Sequence, residues 1–382
     1  MREVNFTAMK YLKFVFLIFF TQSCFTTSDK PKNEDPVLPQ LWEYSYEHVD
    51  APNHPPLVTN NGMVVMSGDA HITALSVENG TLIWQKEDFG VYLLAGAKLL
   101  ENENQLFTNH FDELIAWNKS TGDRLWTVPI DSPLTVFKIG THAIFNNGYA
   151  IVGLGSQLYT VNVNGGVEYI KNLGMPVAHV GSNSQKLFAG QAKTVHGGLS
   201  FGRITSLDAN TGDSLWAYNT ENSGFVYAAP IVEDGVVYAG AAGNSPRNVF
   251  VALDAKTGAI IWEFITDDSG KWTRNFTIGP KHLFFAGDAR LFALDKSTGE
   301  LAWEYSWEGS AFVQQEYLEG YVYHSDHGSI FVLDVETGDL VHEQQGPEGG
   351  GYIWHLTVSE NKLLVQTSSK LVAYQPWHLR ED

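Results

Sequence analysis

The chain has 382 residues, 36 of them glycine, with 13% aromatic and 44% hydrophobic content, so it is rich in turns and rings and has ample apolar material for a core. Its formal net charge of −19 argues against nucleic acid or an anionic membrane surface as a partner, because phosphates would be repelled across most of the molecule. The single cysteine, Cys24, rules out a disulfide framework and a Cys-x-x-Cys redox centre.

The first 24 residues differ in kind from the rest. Lys10 and Lys13 precede the apolar run 14–20, and Thr21, Gln22, Ser23 and Cys24 follow it. A basic flank, a short apolar run and small polar residues predict a secretory signal over 1–24, with Met9 as an alternative start. The run is far short of the roughly 20 apolar residues that span a bilayer. Cys24 resembles the lipid-acceptor cysteine of bacterial lipoprotein signals, and the lack of an aspartate directly after it resembles lipoproteins sent to the outer membrane; the alternative is ordinary cleavage with Cys24 lost or inert. Residues 25–40 are polar and proline-containing, which predicts a disordered tether.

From Trp42 onward one unit recurs. Its clearest copy is Val251 to Trp262, with close relatives over 204–216 and 291–303 and looser ones ending at Trp84, Trp126, Tyr169 and His342. The glycines of these copies, Gly80, Gly122, Gly165, Gly212, Gly258, Gly299 and Gly338, recur every 39 to 47 residues. In each, an alternating apolar strand leads into a turn where a carboxylate such as Asp254 can bond backbone N–H groups and Gly258 can take the positive φ of a bulged hairpin. An aromatic follows four residues later, at Trp216, Trp262 and Trp303 for instance, where it can wedge against the neighbouring unit.

A period of about 40 to 45 residues with some four short strands predicts a β-propeller. In the best copy 227–231 and 235–240 read as the first two strands. Residues 41–44, around Trp42, look like a last strand without its hairpin, whereas 352–354, 362–366 and 371–374 look like three strands without a fourth. Pairing the two ends gives an all-β, eight-bladed propeller over 41–376, followed by a tail at 377–382, and leaves no open sheet edge. Seven blades with an extra terminal strand is the alternative.

The chain lacks a phosphate-binding Gly-x-x-x-x-Gly-Lys-Ser/Thr loop, a His-Glu-x-x-His site and a Gly-x-Ser-x-Gly elbow. The pattern Ala-x-Asp-x-x-Thr-Gly-x-x-x-Trp at Ala252, Asp254, Thr257, Gly258 and Trp262, repeated at Ala293, Asp295, Thr298, Gly299 and Trp303, resembles the tryptophan-docking motif of the PQQ-like (quinoprotein-type) β-propellers. Behind a lipoprotein-like signal it is most similar to the BamB-type outer-membrane lipoproteins. That resemblance implies a non-catalytic scaffold with no cofactor and a single-copy ring. Its partner would be an envelope protein, in particular the outer-membrane β-barrel assembly complex.

The rival reading is a PQQ- or metal-dependent oxidoreductase. Large quinoprotein dehydrogenases hold the quinone against a disulfide of adjacent cysteines, which this chain cannot supply, and no run resembles an Asp-x-Asp-x-Asp-Gly calcium loop. A third reading is a surface glycan- or ligand-binding propeller. Recognition residues are expected in loops. One face should collect Asp69, His71, His110, Asp112, Asp288, Arg290, Asp326 and His327, as a polar mouth, a metal site or plain solvated turns. Two longer loops, 190–202 and 241–248, interrupt the repeat and offer Leu199, Phe201, Arg203 and Arg247 to a protein partner. The inter-blade stretch 271–276 adds Trp272 and Arg274.

Overall fold

Asp254 shows how one repeat folds. Its carboxylate accepts the N–H groups of Lys256 (3.1 Å) and Thr257 (2.7 Å) and the Thr257 hydroxyl (2.7 Å), and its carbonyl accepts the Gly258 N–H (2.8 Å). Gly258 sits at φ +76°, and the register slips by one residue between Ala252 and Leu253, so the hairpin carries the expected bulge. These donors, the Thr257 hydroxyl first, hold the Asp254 carboxyl below its usual range.

The computed structural model describes residues 37–46, 55–68, 71–87, 99–109, 113–129, 144–195, 198–221, 223–225, 228–243, 248–266, 272–287, 289–308, 315–326, 328–359 and 361–380. Their strands form eight antiparallel sheets, each one blade of an eight-bladed β-propeller. Blades 1 to 7 lie at 57–87, 100–129, 144–172, 177–221, 223–266, 272–306 and 315–345. Blade 8 takes its three inner strands from Ile353–Ser359, Lys362–Thr367 and Lys370–Tyr374 and its outer strand from Gln40–Ser45, with Trp42 opposite Ala373. The chain ends therefore share one sheet, and the seven-bladed alternative is excluded. Blade 5 differs from the rest in that its inner edge is two short pieces, Ser223–Gly224 and Ile231–Glu233, both paired with Val236–Gly243. Pairing of the second piece starts only after Pro230, which has no N–H to donate, so the strand expected over 227–231 lies instead at Ile231–Glu233 and shares only Ile231 with that expectation.

The seams between blades carry the core, and one clasp recurs at seven of them. The indole N–H groups of Trp42, Trp84, Trp126, Trp216, Trp262 and Trp303 donate to the carbonyls of Val77, Lys119, Val163, Ala255, Lys296 and Val335 in the next blade at 2.8 to 3.3 Å. Tyr169 does the same to Ala209 through its hydroxyl, at 3.1 Å. Each ring lies flat on the next motif glycine, where a Cβ would come within 2.5 to 3.0 Å of ring carbon. Glycine is therefore required twice, for its positive φ and for the approach of the ring. Burying one such aromatic is worth about 2 kcal/mol.

The eighth seam is different because no motif turn joins the third and outer strands of blade 8. There His342 stacks on Trp377 (4.8 Å between centroids, 24°), whose backbone N–H donates to the Tyr323 hydroxyl at 2.9 Å. Gln344 Oε1 accepts the Leu38 N–H at 2.7 Å, and the Gln375 N–H donates to Pro39 O at 2.8 Å. Residues expected in the tether and the tail thus close the ring, and Leu38 is buried in its core.

Candidate functional site

In each blade the inner strand runs from one face of the ring to the other, so the turns between second and third strands share a face with the links between blades. On that face blade 4 is built up. Its second and third strands, Lys186–Val195 and Gly198–Asp208, are ten and eleven residues long and stay paired out to Val195 and Gly198. Residues 190–195 and 198–202, expected within a loop, are therefore paired strand, the β-prone run Lys193-Thr194-Val195 continuing the ladder past Gly190. Its outer neighbour Ser214–Glu221 follows it, setting Phe201 opposite Glu221 and Arg203 opposite Asn219. Phe201 and Arg203 are both half-buried. The Arg203 guanidinium lies 6.0 Å from the Phe201 ring centroid, and its Nε donates to Asn219 Oδ1 at 2.9 Å. A flat cation on an aromatic face, pinned from behind, is a preorganised contact element.

This hairpin is stitched to blade 5. Thr220 Oγ1 donates to Ser223 O (3.0 Å), and the buried Phe225 donates its N–H to Gln191 O (3.3 Å). A Cβ on Gly202 would fall 2.4 Å from Thr220 Oγ1, and one on Gly181 would fall 1.9 Å from Pro230 O. Behind them the buried Gln191 donates to Met175 O and accepts the Thr205 hydroxyl at 2.6 Å, a satisfied interior network. In blade 5 the strands Val236–Gly243 and Asn248–Asp254 occupy much of the stretch expected as a second loop. Arg247 lies outside the described residues. Trp272 belongs to the strand Trp272–Ile278, with Arg274, and pairs with Gly287, so 272–276 is strand rather than link. Leu199 is likewise on a strand.

Of the predicted polar mouth, Asp69, His110, Asp112, Asp288 and His327 lie outside the described residues. The other three each have their own local surroundings. His71 is exposed at a strand start, opposite Gly68 and Glu87. Arg290 lies 5.1 Å from the Phe292 ring centroid and 3.6 Å from Glu304. Asp326 accepts the N–H groups of Gly328 (2.7 Å) and Ser329 (2.6 Å), which makes it a turn-former. Among the described residues no group of three or more His, Cys, Asp or Glu side chains could hold a metal ion.

Sequence reasoning missed the buried histidines of the same face: His179, His324 and His355, in blades 4, 7 and 8. His324 is fully enclosed, neither ring nitrogen has a hydrogen-bond partner, and Trp307 lies 4.3 Å away. Burial pushes its pKa down to about 3, so it is neutral across the physiological range. The available signal was a histidine inside an alternating strand, which does not tell which face it occupies.

The geometry defines an eight-bladed, aromatic-clasped propeller of the PQQ-like kind with one face built up. The sequence profile described as outer membrane protein assembly factor BamB matches residues 40–167, 92–241, 155–273 and 247–377, and the chain belongs to that family. Among solved structures, BamB from Moraxella catarrhalis is similar with a TM-score of 0.69 at 19% identity, over 91% of this chain and 100% of that one. A computationally designed protein matches with a TM-score of 0.67 at 16% identity, over 88% and 99%. The quinohemoprotein alcohol dehydrogenase ADHIIG from Pseudomonas putida matches with 0.69 at 12% identity, over 90% and 77%. At such identities the likeness is one of fold. Among curated proteins no relative matches.

Proposed function

We propose that the chain is a non-catalytic scaffold of the bacterial cell envelope. It is tethered to the outer membrane by a lipid on Cys24 and binds a protein of the outer-membrane β-barrel assembly machinery. Family membership supports the setting. The observation that carries the binding mode is the extended blade 4 hairpin, stiffened by glycine approach to blade 5 and presenting Phe201 under Arg203. Aromatic and arginine side chains on a rigid support lose little entropy on docking and carry most interface energy. Leu199, Arg247, Trp272 and Arg274 are proposed to extend the same surface.

Site-specific photo-crosslinking in cells tests this, with the crosslinker at Phe201 and, as a control on the opposite face, at the exposed Ser120. The expected result is an adduct with an assembly-machinery subunit from position 201 only. An adduct from 120 alone, or equal capture from both, overturns the binding mode. In purified components the double variant F201A/R203A is expected to weaken association by about 2 kcal/mol, roughly thirtyfold.

A further inference from the structure

The motif turns and the turns between first and second strands share the other face of the ring, where long polar side chains cross from blade to blade. In three blades the crossing residue is the first of the second strand. Gln105 Nε2 donates to Val163 O at 2.9 Å, Lys186 Nζ to Ala255 O at 2.8 Å and Lys256 O at 3.2 Å, and Lys362 Nζ lies 3.2 Å from Glu78 Oε2. At two further seams a motif-turn lysine reaches back instead: Lys119 Nζ to Asn60 and Glu101, and Lys296 Nζ to Glu233.

Between blades 6 and 7 the crossing is made one residue earlier, by Lys281 Nζ to Glu336 at 2.9 Å, and the position that Lys186 holds in blade 4 has no ammonium. The first residue of the second strand is His282, whose imidazole ends well short of where a lysine ammonium would lie. It is 4% exposed and rests against Phe284 at 6.0 Å. A cavity of about 330 Å³ opens in front of it. Phe284 and Tyr317 lie parallel in its wall, 6.5 Å apart at 4°, and Gly279 admits both, since a Cβ there would sit 3.2 Å from each ring. The rim carries Lys281, which pairs with Glu336 at 2.9 Å, together with Glu319 and the motif-turn Asp334, whose Oδ1 accepts the N–H groups of Glu336 and Thr337.

The acceptors that Lys186 uses have counterparts here. Ala255 O takes both the Trp216 indole N–H and the Lys186 ammonium. Val335, which lines the cavity, takes the Trp303 indole N–H at 2.9 Å on its carbonyl, leaving the second lone pair that Ala255 gives to Lys186. We propose that this seam cavity binds a primary alkylammonium group, from a lysine side chain or a free aliphatic amine, which takes the place a lysine of the chain itself fills between blades 4 and 5. The flat aromatic wall would carry the alkyl stem and the carboxylate rim would select the charge. The site is on the face opposite the blade 4 hairpin and stands or falls independently of the scaffold reading.

Calorimetric titration of the full ring with n-butylammonium tests this, with the amide resonances of Gly320 and Val335 followed by NMR. Saturable binding with shifts at both amides is expected. Binding should persist in H282A, fall at least tenfold in H282K, which supplies its own ammonium, and be accompanied in H282K by a rise in Tm of about 1–2 °C. Nα-acetyl-lysine amide binding more tightly than n-butylammonium identifies a polypeptide lysine as the natural source, and equal binding identifies a free amine. No binding up to about 10 mM, equal binding of n-butylguanidinium, or unchanged binding in H282K overturns the proposal.

Discussion

His324 stands where other blades place small or apolar residues: it faces Gln315 across its ladder as Ala189 faces Val180 in blade 4 and Val365 faces Leu356 in blade 8. Its folded pKa of about 3 lies below the 6.5 of a free imidazole. Between those values the unfolded chain binds a proton that the native chain refuses, so stability is complete above pH 6.5 and is lost as pH falls toward 3. From pH 7 to pH 5 the loss is about 2 kcal/mol, and it is insensitive to the folded pKa so long as that stays well below 5. The turn carboxylates Asp208, Asp254 and Asp295 are also held below their usual range, but their stabilisation is lost only below about pH 4, outside this window. Urea midpoints at the two pH values should therefore fall less in H324F than in the parent, and equal falls would refute the assignment. At this scale the sequence was uneven. The docking aromatics after Trp42 were legible because each follows a glycine by four residues. His324 was not, because a histidine in an alternating run reads equally well as facing in or out.

The hairpin is the element on which the repeat depends, and two glycines separate its requirements. Gly258 and Gly235 have nearly the same φ, +76° and +80°, but a Cβ on Gly258 would meet the Trp216 ring at 2.7 Å, whereas nothing lies within 4 Å of one on Gly235. G235A should cost only the left-handed backbone penalty, about 1 kcal/mol, and G258A should cost at least about 2 kcal/mol more by expelling the indole. Equal denaturation midpoints for the two variants would show that the clasp contributes little. Regular blades were legible down to the bulge because their turn chemistry and apolar alternation agree. The blade 4 hairpin was not: Gly190, Gly197, Gly198 and Gly202 signal loop locally, and the close approach of blade 5, which requires glycine at positions 181 and 202, is a tertiary fact.

Across the whole molecule the ring has eight seams and seven motif turns, so one seam must close by other means. The cost appears in the residue itself: where the partner is a glycine the docking side chain is tryptophan or tyrosine, and where the partner is Trp377 it is His342, a smaller ring that leaves room for the indole stacked on it. This makes the identity at 342 a consequence of where the chain is cut. A circular permutant that joins Tyr374 to Pro39 through an Asp-Ala-Lys-Thr-Gly turn, with new ends at the Asn147–Gly148 turn, would remove Trp377 and supply the missing glycine. In that background H342W should raise stability by about 1 kcal/mol, while in the native connectivity the same substitution should lower it by a similar amount through crowding against Trp377. The opposite sign in the two backgrounds is the coupling a double-mutant cycle measures, and thermal unfolding of the four proteins would read it. The same sign in both would mean that His342 is set by something other than the split of blade 8.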